Sequence, residues 1–305
     1  MVHGATASGK SSLAIELAER FSGEIVSCDS VAVYRELEIG AAKPTARERA
    51  LVPHHMLDLV SPDQPYTAGD YCRDARAVLA AIVERNHLPI VAGGTGLYLR
   101  ALLDGLFAGP QRSETLRERL REAAAARGGN YLVRILERLD RISAARIHPH
   151  DTPKIIRAIE VTLAARQPMS AAWESGRDSL RGFRVLRLGL DPPREALYEH
   201  INQRAAEMFS RGLVQETERL LLRYGPECRP LGSLGYKQAI MLLHGDFSFE
   251  QAIAATQQAH RNYAKRQATW FRDEPHVHSL NGFGDERWIV APAVALVKKE
   301  LQTRQ

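Results

Sequence analysis

Over the first ~105 residues, short apolar runs alternate with stretches of helical periodicity, a pattern that predicts parallel strands joined by crossover helices. Glu24-Ile25-Val26-Ser27-Cys28 and His87-Leu88-Pro89-Ile90-Val91-Ala92 are strand candidates. Between them, Asp70 to Arg85 puts Tyr71, Ala75, Val78, Leu79 and Ile82 on one helical face. Leu13, Leu17 and Phe21 repeat at the same spacing near the N-terminus. From Arg112 to about Arg166 the pattern changes to charged amphipathic helices with few β-branched runs, which reads as a helical insertion. Val185 to Leu190 restores a strand, and Pro192-Pro193 opens a long helix carrying Leu197, Ile201, Met208 and Leu213. The sheet is expected to resume after the insertion, giving core segments 1–109 and 182–305 around a helical segment 110–181. No repeat or low-complexity tract interrupts this plan.

The strongest motif is Gly4-Ala5-Thr6-Ala7-Ser8-Gly9-Lys10-Ser11, which fits the phosphate-loop pattern G-x-x-x-x-G-K-[ST] at every fixed position. Glycines let backbone N–H groups curl around phosphate oxygens and the following helix presents its positive end. Lys10 neutralises charge and Ser11 can ligate Mg²⁺. The periodic apolar residues after Ser11 supply the helix this motif requires. The expected fold is therefore α/β, a P-loop NTPase-like parallel sheet flanked by helices, with a mainly helical insertion domain. Only Met1, Val2 and His3 precede Gly4, less than a full buried strand, so an N-terminally shortened first strand is expected.

A phosphate loop identifies a polyphosphate, not a reaction. Two further strand ends narrow the chemistry. Asp29 follows the strand candidate ending at Cys28, where a carboxylate points into the ligand crevice of a parallel sheet and can act as a base or hold Mg²⁺. A turn or N-cap role is the alternative for this aspartate. Gly93-Gly94-Thr95-Gly96 follows the next strand and can bring Thr95 to the same crevice.

Composition changes this picture in one respect. Of the 305 residues 45% are hydrophobic and 25% charged, as in an ordinary globular chain, and the net charge is +5. The stretch from Arg112 to Arg181 holds 14 Lys and Arg against 9 Asp and Glu, so it carries the entire excess; the other 27 cations and 27 anions cancel. Such a segment suits a phosphate backbone, and a solvated helical face fits the charge alone equally well. Arg261, Lys265 and Arg272 with Tyr263, Trp270 and Phe271 mix cations with stacking surfaces near the C-terminus, although core packing accounts for Trp270 and Phe271 more simply. His54 and His55 read as a buried, hydrogen-bonded pair rather than a metal site. Cys28, Cys72 and Cys228 are odd in number and far apart, which favours buried free thiols over disulfides or zinc. No apolar run approaches the ~20 residues of a membrane helix and no signal-peptide pattern is present, so a cytoplasmic protein without membrane contact is expected, with a monomer as the default.

Taken in order, the stretches G-A-T-A-S-G-K-S, S-C-D-S-V-A-V-Y-R, I-G-A-A-K-P, H-H-M-L-D, A-G-G-T-G-L-Y-L-R-A-L, A-A-R-I-H-P-H-D, L-G-Y-K-Q and R-N-Y-A-K-R-Q-A-T-W-F-R make the chain resemble the bacterial tRNA dimethylallyltransferases, also called isopentenylpyrophosphate:tRNA transferases. The resemblance runs from Gly4 to Arg272. It implies transfer of a dimethylallyl group from dimethylallyl diphosphate to the N6 amine of the adenosine beside the anticodon, position 37, in tRNAs reading codons that begin with U. It gives Asp29 the role of general base, sets Thr95 on the reaction channel, and has Lys10 and the loop amides of Gly4 to Ser11 hold the diphosphate with Mg²⁺. It also implies tRNA contacts from Asp29, Ser30, Val31 and Ala32, from Thr95 and Arg117, from Pro153, Lys154, Ile155, Ile156 and Arg157, and from Gly235, Tyr236, Lys237 and Gln238.

Three stretches depart from the family pattern. Asp151-Thr152-Pro153-Lys154 stands where Asp-Pro-Gln-Arg is usual, Gly40-Ala41-Ala42-Lys43-Pro44 replaces Gly-Thr-Ala-Lys-Pro, and an arginine common before the Gly-Tyr motif is absent around Gly232-Ser233. These changes bear on RNA grip rather than on chemistry. Competing classes are a P-loop kinase of small metabolites, which needs a cluster of lid arginines, a noncatalytic RNA-binding ATPase, and an adenylate isopentenyltransferase acting on free nucleotides. An Arg-rich insertion offers a mononucleotide nothing to hold.

Overall fold

The computed structural model describes residues 1–107, 109–110, 112–128, 130–174 and 178–303. Six strands form one parallel sheet: β1 (Val2–Gly4), β2 (Gly23–Cys28), β3 (His54–His55), β4 (Leu88–Gly93), β5 (Arg187–Leu190) and β6 (Val277–Leu280), in the order β3-β2-β4-β1-β5-β6. The helices are α1 (Lys10–Arg20), α2 (Ala46–Leu51), α3 (Ala68–Glu84), α4 (Gly96–Asp104), α5 (Glu114–Arg127), α6 (Asn130–Leu139), α7 (Arg141–Arg146), α8 (Thr152–Ala165), α9 (Met169–Glu174), α10 (Arg194–Ser210), α11 (Leu213–Tyr224), α12 (Tyr236–Leu243), α13 (Phe249–Arg272) and α14 (Arg287–Gln302). The chain divides into two compact units, one of Met1–Leu102 with Arg181–Gln305 and one of Leu103–Leu180.

The first unit carries the sheet. β1 pairs on both sides, Val2 facing Ala92 of β4 and Leu188 of β5. β2 and β4 pair over their whole length, from Gly23 opposite Leu88 to Cys28 opposite Gly93. The carboxyl ends of β1, β2 and β4 therefore lie side by side at one edge, where open α/β sheets bind ligands. Leu13, Ala14 and Leu17 of α1 and Ile289, Ala293 and Val297 of α14 pack with Val2, Ile25, Ile90, Leu188 and Leu280 as the main core. A smaller cluster joins Ala5 to Leu197 and Ile201 of α10, Ala264 of α13 and Phe283.

Two details differ from the periodicity. Leu213 does not extend the face of α10, because Gly212 adopts a left-handed φ of 100°, ends that helix and caps α11, which opens with Leu213. On α3, Tyr71, Ala75, Leu79 and Ile82 are buried and Val78 only partly.

The second unit is helical. Leu120, Leu132, Leu136, Ile155, Ile156, Ile159 and Val161 form its core. At its centre Glu160, 0% exposed, accepts two bonds from Arg117 (Nε 3.0 Å, Nη2 2.8 Å), one from Arg157 Nη1 (2.6 Å) and one from the Ser113 N–H (2.7 Å). These bonds tie α5 to α8.

Candidate active site

The phosphate loop runs from the end of β1 into α1. Gly9 caps α1 at φ 82°, a left-handed conformation that a side chain would strain, and a Cβ there would sit 2.5 Å from the Gly284 nitrogen. That approach lets the Gly284 N–H donate to the Ser8 carbonyl at 3.0 Å, so the segment after β6 braces the loop from behind. Lys10 bends back over the loop and its Nζ donates to the Ala5 carbonyl at 2.6 Å. The Thr6 N–H is held by Gln267 Oε1 of α13 at 2.7 Å.

Asp29 follows β2 directly. Its Oδ1 accepts the N–H groups of Val31 (2.8 Å) and Ala32 (3.2 Å), so the turn role and an active-site position coexist in one residue. Thr95 ties this turn to the end of β4: its N–H donates to the Cys28 carbonyl at 3.2 Å and its Oγ1 accepts the Ser30 N–H at 3.1 Å. A cavity of about 630 Å³ opens above these strand ends, lined by Thr6, Ala7, Gly9, Lys10, Ser11, Asp29, Ala32, Gly93, Gly94, His200, Arg204, Tyr263 and Gln267 among others. Thr95 is not part of its wall; Gly93 and Gly94 are, with Thr95 just behind them.

Charge in this cavity is arranged for an anion. Burial pulls Lys10 down from 10.5 to about 7, and the neighbouring Arg204 pushes the same way against the attraction of Asp29. Arg204, from α10, is lowered as well by burial, against the pull of Asp29 and Glu207. Its Nη1 lies 3.5 Å from Thr6 Oγ1. These two desolvated cations lie beside the phosphate loop, among a lining that also holds Lys43, Asp29, Glu48, Glu207 and Asp285, and an entering diphosphate would give Lys10 and Arg204 a direct anionic partner. The donors also suit Mg²⁺. Among the described residues no group of three or more His, Cys, Asp or Glu is arranged for a metal, but this ion keeps its waters and takes phosphate oxygens, so one or two protein oxygens such as Ser11 Oγ and the Asp29 carboxylate are enough.

The structure redistributes several residues expected to touch RNA. Ile155 and Ile156 are 2% and 3% exposed in the helical unit's core, so their side chains cannot reach a ligand; Pro153 and Lys154 are exposed on the first turn of α8, Lys154 paired with Asp151 at 2.6 Å. Arg117 and Arg157 bind Glu160. Tyr236 is fully buried, its hydroxyl donating to Glu216 Oε1 at 2.6 Å, and Gln238 Oε1 accepts the Gly235 N–H at 2.9 Å. Lys237 alone of that group is exposed. The loop residues divide similarly: Gly4, Ala5 and Ser8 are buried beneath the loop, while Thr6, Ala7, Gly9, Lys10 and Ser11 line the cavity.

The remaining ambiguous residues resolve toward packing. The Arg100 guanidinium lies 4.3 Å over the Trp270 ring, and Phe271 packs 4.6 Å from His3. His54 and His55 are only partly buried, not buried as expected, because β3 is the edge strand of the sheet; His54 Nδ1 bonds the Val52 carbonyl at 2.9 Å and His55 Nε2 bonds Glu24 at 2.5 Å, near the amino end of β2 and away from the cavity. None of the three cysteines forms a disulfide; Cys28 and Cys228 are buried as expected, whereas Cys72 is only partly buried and its Sγ donates to the Ala101 carbonyl at 2.9 Å. Sequence reasoning missed Arg204 and the separate role of Gln267. The available signals were slight: a cation among the apolar positions Ile201, Ala205 and Met208, and a glutamine three residues after buried Ala264 on the same helical face.

A phosphate loop, an aspartate and a glycine-rich turn at adjacent carboxyl ends of a parallel sheet define a P-loop α/β enzyme. Within that class, the family model described as IPP transferase matches residues 32–274, and one described as isopentenyl transferase matches residues 1–57. The chain belongs to the IPP transferase family. It is 64% identical over 295 residues to a tRNA dimethylallyltransferase of Koribacter versatilis strain Ellin345, covering 97% of this chain and 96% of that one. It is 51% identical over 301 residues to a tRNA dimethylallyltransferase of Solibacter usitatus strain Ellin6076, covering 98% of each. The solved tRNA isopentenylpyrophosphate transferase of Bacillus halodurans superposes with a TM-score of 0.73 at 31% identity, over 99% of this chain and 96% of that one. A eukaryotic dimethylallyltransferase acting on tRNA shares the fold at a TM-score of 0.85 and 24% identity, over 100% of this chain and 79% of that one.

Proposed function

We propose that this chain transfers a dimethylallyl group from dimethylallyl diphosphate to the N6 amine of adenosine 37, on the 3′ side of the anticodon, in tRNAs that read codons beginning with U. The observation that carries this is the juxtaposition of Lys10 and Arg204 with Asp29 in one cavity of a chain that belongs to the IPP transferase family. Lys10, Arg204 and the loop amides other than that of Thr6 bind the diphosphate. Asp29, fixed by the N–H groups of Val31 and Ala32, accepts the proton that N6 loses as its lone pair forms the new C–N bond and the C–O bond breaks toward the departing diphosphate. Thr95 holds the turn at Ser30, next to Asp29. Ser11 Oγ would be among the ligands of a bound Mg²⁺, and the ion would supply charge neutralisation for the departing diphosphate. The adenine must leave its stack to reach the cavity. On the helical unit, Pro153 and Lys154 are the exposed members of the expected RNA-contact set, and Lys237 adds a cation on the core unit. A tRNA substrate makes the cytoplasm the working compartment.

The test is incubation of the protein with unmodified tRNA, labelled dimethylallyl diphosphate and Mg²⁺, with AMP as a parallel acceptor and an Asp29→Ala variant beside it. Label should enter tRNA and not AMP, and the variant should lose roughly 10²- to 10⁴-fold in rate. Label in AMP would move the chain to the free-nucleotide transferases. Transfer of phosphate from ATP with no prenyl transfer would replace the assignment with a kinase.

A further inference from the structure

Gln267 is 5% exposed, yet both ends of its amide are used. Oε1 accepts the Thr6 N–H at 2.7 Å and Nε2 donates to the Gly94 carbonyl at 2.9 Å. One side chain of α13 therefore bridges the phosphate loop after β1 and the turn after β4, the two loops between which the scissile C–O bond must lie. A Cβ on Gly94 would come within 2.2 Å of Nε2, so the absence of a side chain there is what lets the bridge close. Nearby on the same helix, Tyr263 lines the cavity and Trp270 packs on Gly96 beneath Arg100. A buried amide needs a donor and an acceptor in reach, and here each partner is backbone of a reactive loop rather than of the surrounding core.

We propose that Gln267 is a positioning residue: it sets the spacing of the phosphate loop and the Gly94 turn before substrate arrives, aligning the diphosphate with Asp29. This rests on the prenyl-transfer reading above. Because Thr6 N–H is already committed to Gln267, the bridge acts on geometry rather than as a ligand for phosphate. Its loss reaches the rate of transfer before it reaches diphosphate affinity.

Three measurements on Gln267→Met and Gln267→Glu test this. Single-turnover transfer at saturating dimethylallyl diphosphate should slow roughly 10- to 100-fold in Gln267→Met while the dissociation constant for inorganic pyrophosphate moves less than about threefold. Gln267→Glu, which keeps the acceptor for Thr6 and loses the donor for Gly94, should fall between Gln267→Met and the parent. Amide exchange of the loop peptide containing Thr6 should quicken in Gln267→Met. An unchanged rate overturns the proposal, as does a loss of rate matched by an equal loss of pyrophosphate binding, which would make Gln267 a binding or folding residue. If the unsubstituted protein binds pyrophosphate but transfers no label, the prenyl-transfer reading fails by itself. Amide exchange then decides for Gln267: unchanged exchange in Gln267→Met overturns it, and faster exchange upholds it as the organiser of the phosphate loop.

Discussion

Replacing Lys10 by Met should make the ligand-free protein more stable and weaken its binding of diphosphate. Lys10 is held at about 7 against an ordinary 10.5, so it is charged at pH 6 in a place that disfavours the charge. The full penalty is about 5 kcal/mol. Lys10 is only half-buried, and roughly halving the figure for solvent screening leaves about 2.5 kcal/mol. Methionine forfeits the bond to Ala5, worth about 1 kcal/mol, for a net gain of about 1.5 kcal/mol at pH 6. The penalty is complete below about 7 and fades toward 10.5, because between these values the folded chain sheds the proton that the unfolded chain keeps. At pH 9 the same reasoning leaves the two proteins about equal. Urea unfolding at both pH values, without ligand, measures the difference, and calorimetry with pyrophosphate measures what the charge is for: Lys10→Met should bind it roughly 10- to 100-fold more weakly. A variant less stable than the parent at pH 6, or a difference that does not shrink by pH 9, would refute the assignment of Lys10 as a strained cation awaiting an anion.

Arg204→Met should weaken pyrophosphate by a similar factor of roughly 10 to 100, and removing a neighbouring cation should raise the pKa of Lys10, readable as a smaller proton uptake on binding at pH 8. Glu160→Gln should destabilise the helical unit by about 3 kcal/mol. Burial alone raises this carboxyl, but bonds from Arg117, Arg157 and the Ser113 N–H outweigh it and hold the pKa at about 2 instead of 4.5. The contribution is complete above about 4.5 and disappears as pH falls toward 2, so unfolding curves of the two proteins should converge in acid. Tyr236→Phe removes a buried bond to Glu216 and should cost about 1–2 kcal/mol with no change in KM for tRNA; a raised KM would return Tyr236 to the RNA interface.

What was legible beforehand is what the chain writes locally. The phosphate loop is eight consecutive residues whose conformation follows from their glycines, and β2, β4 and β5 are short apolar runs whose ends deliver Asp29 and Thr95 by chain order alone. The partners that complete the site come from far away: Arg204 meets Thr6 across 198 residues and Gln267 meets it across 261. No periodicity reports such meetings, since both residues sit on helices whose apolar spacing is the same with or without them. In the insertion the sequence hid where particular charges go. Its excess of arginine suggested a surface for RNA, and a count of charge does not reveal that Arg117 and Arg157 turn inward onto one glutamate.

The two units put cations and a carboxylate to opposite ends. In the helical unit every partner is engaged: Arg117 and Arg157 bond Glu160 directly, and the carboxylate is driven to a pKa of about 2. Such a cluster has its partners without a ligand, and the depressed pKa of Glu160 makes it a stabilising one above about pH 4.5. Around the phosphate loop no ion pair among the described residues joins Asp29 to Lys10 or Arg204. Asp29 is held by backbone N–H groups, and the strain falls on the cations, Lys10 being drawn down to about 7. A closed Lys10–Asp29 pair would neutralise the base and occupy the cation at once. Holding Asp29 by its own turn keeps both free for substrate, and the stability forgone at that cluster is the quantity that Lys10→Met should return.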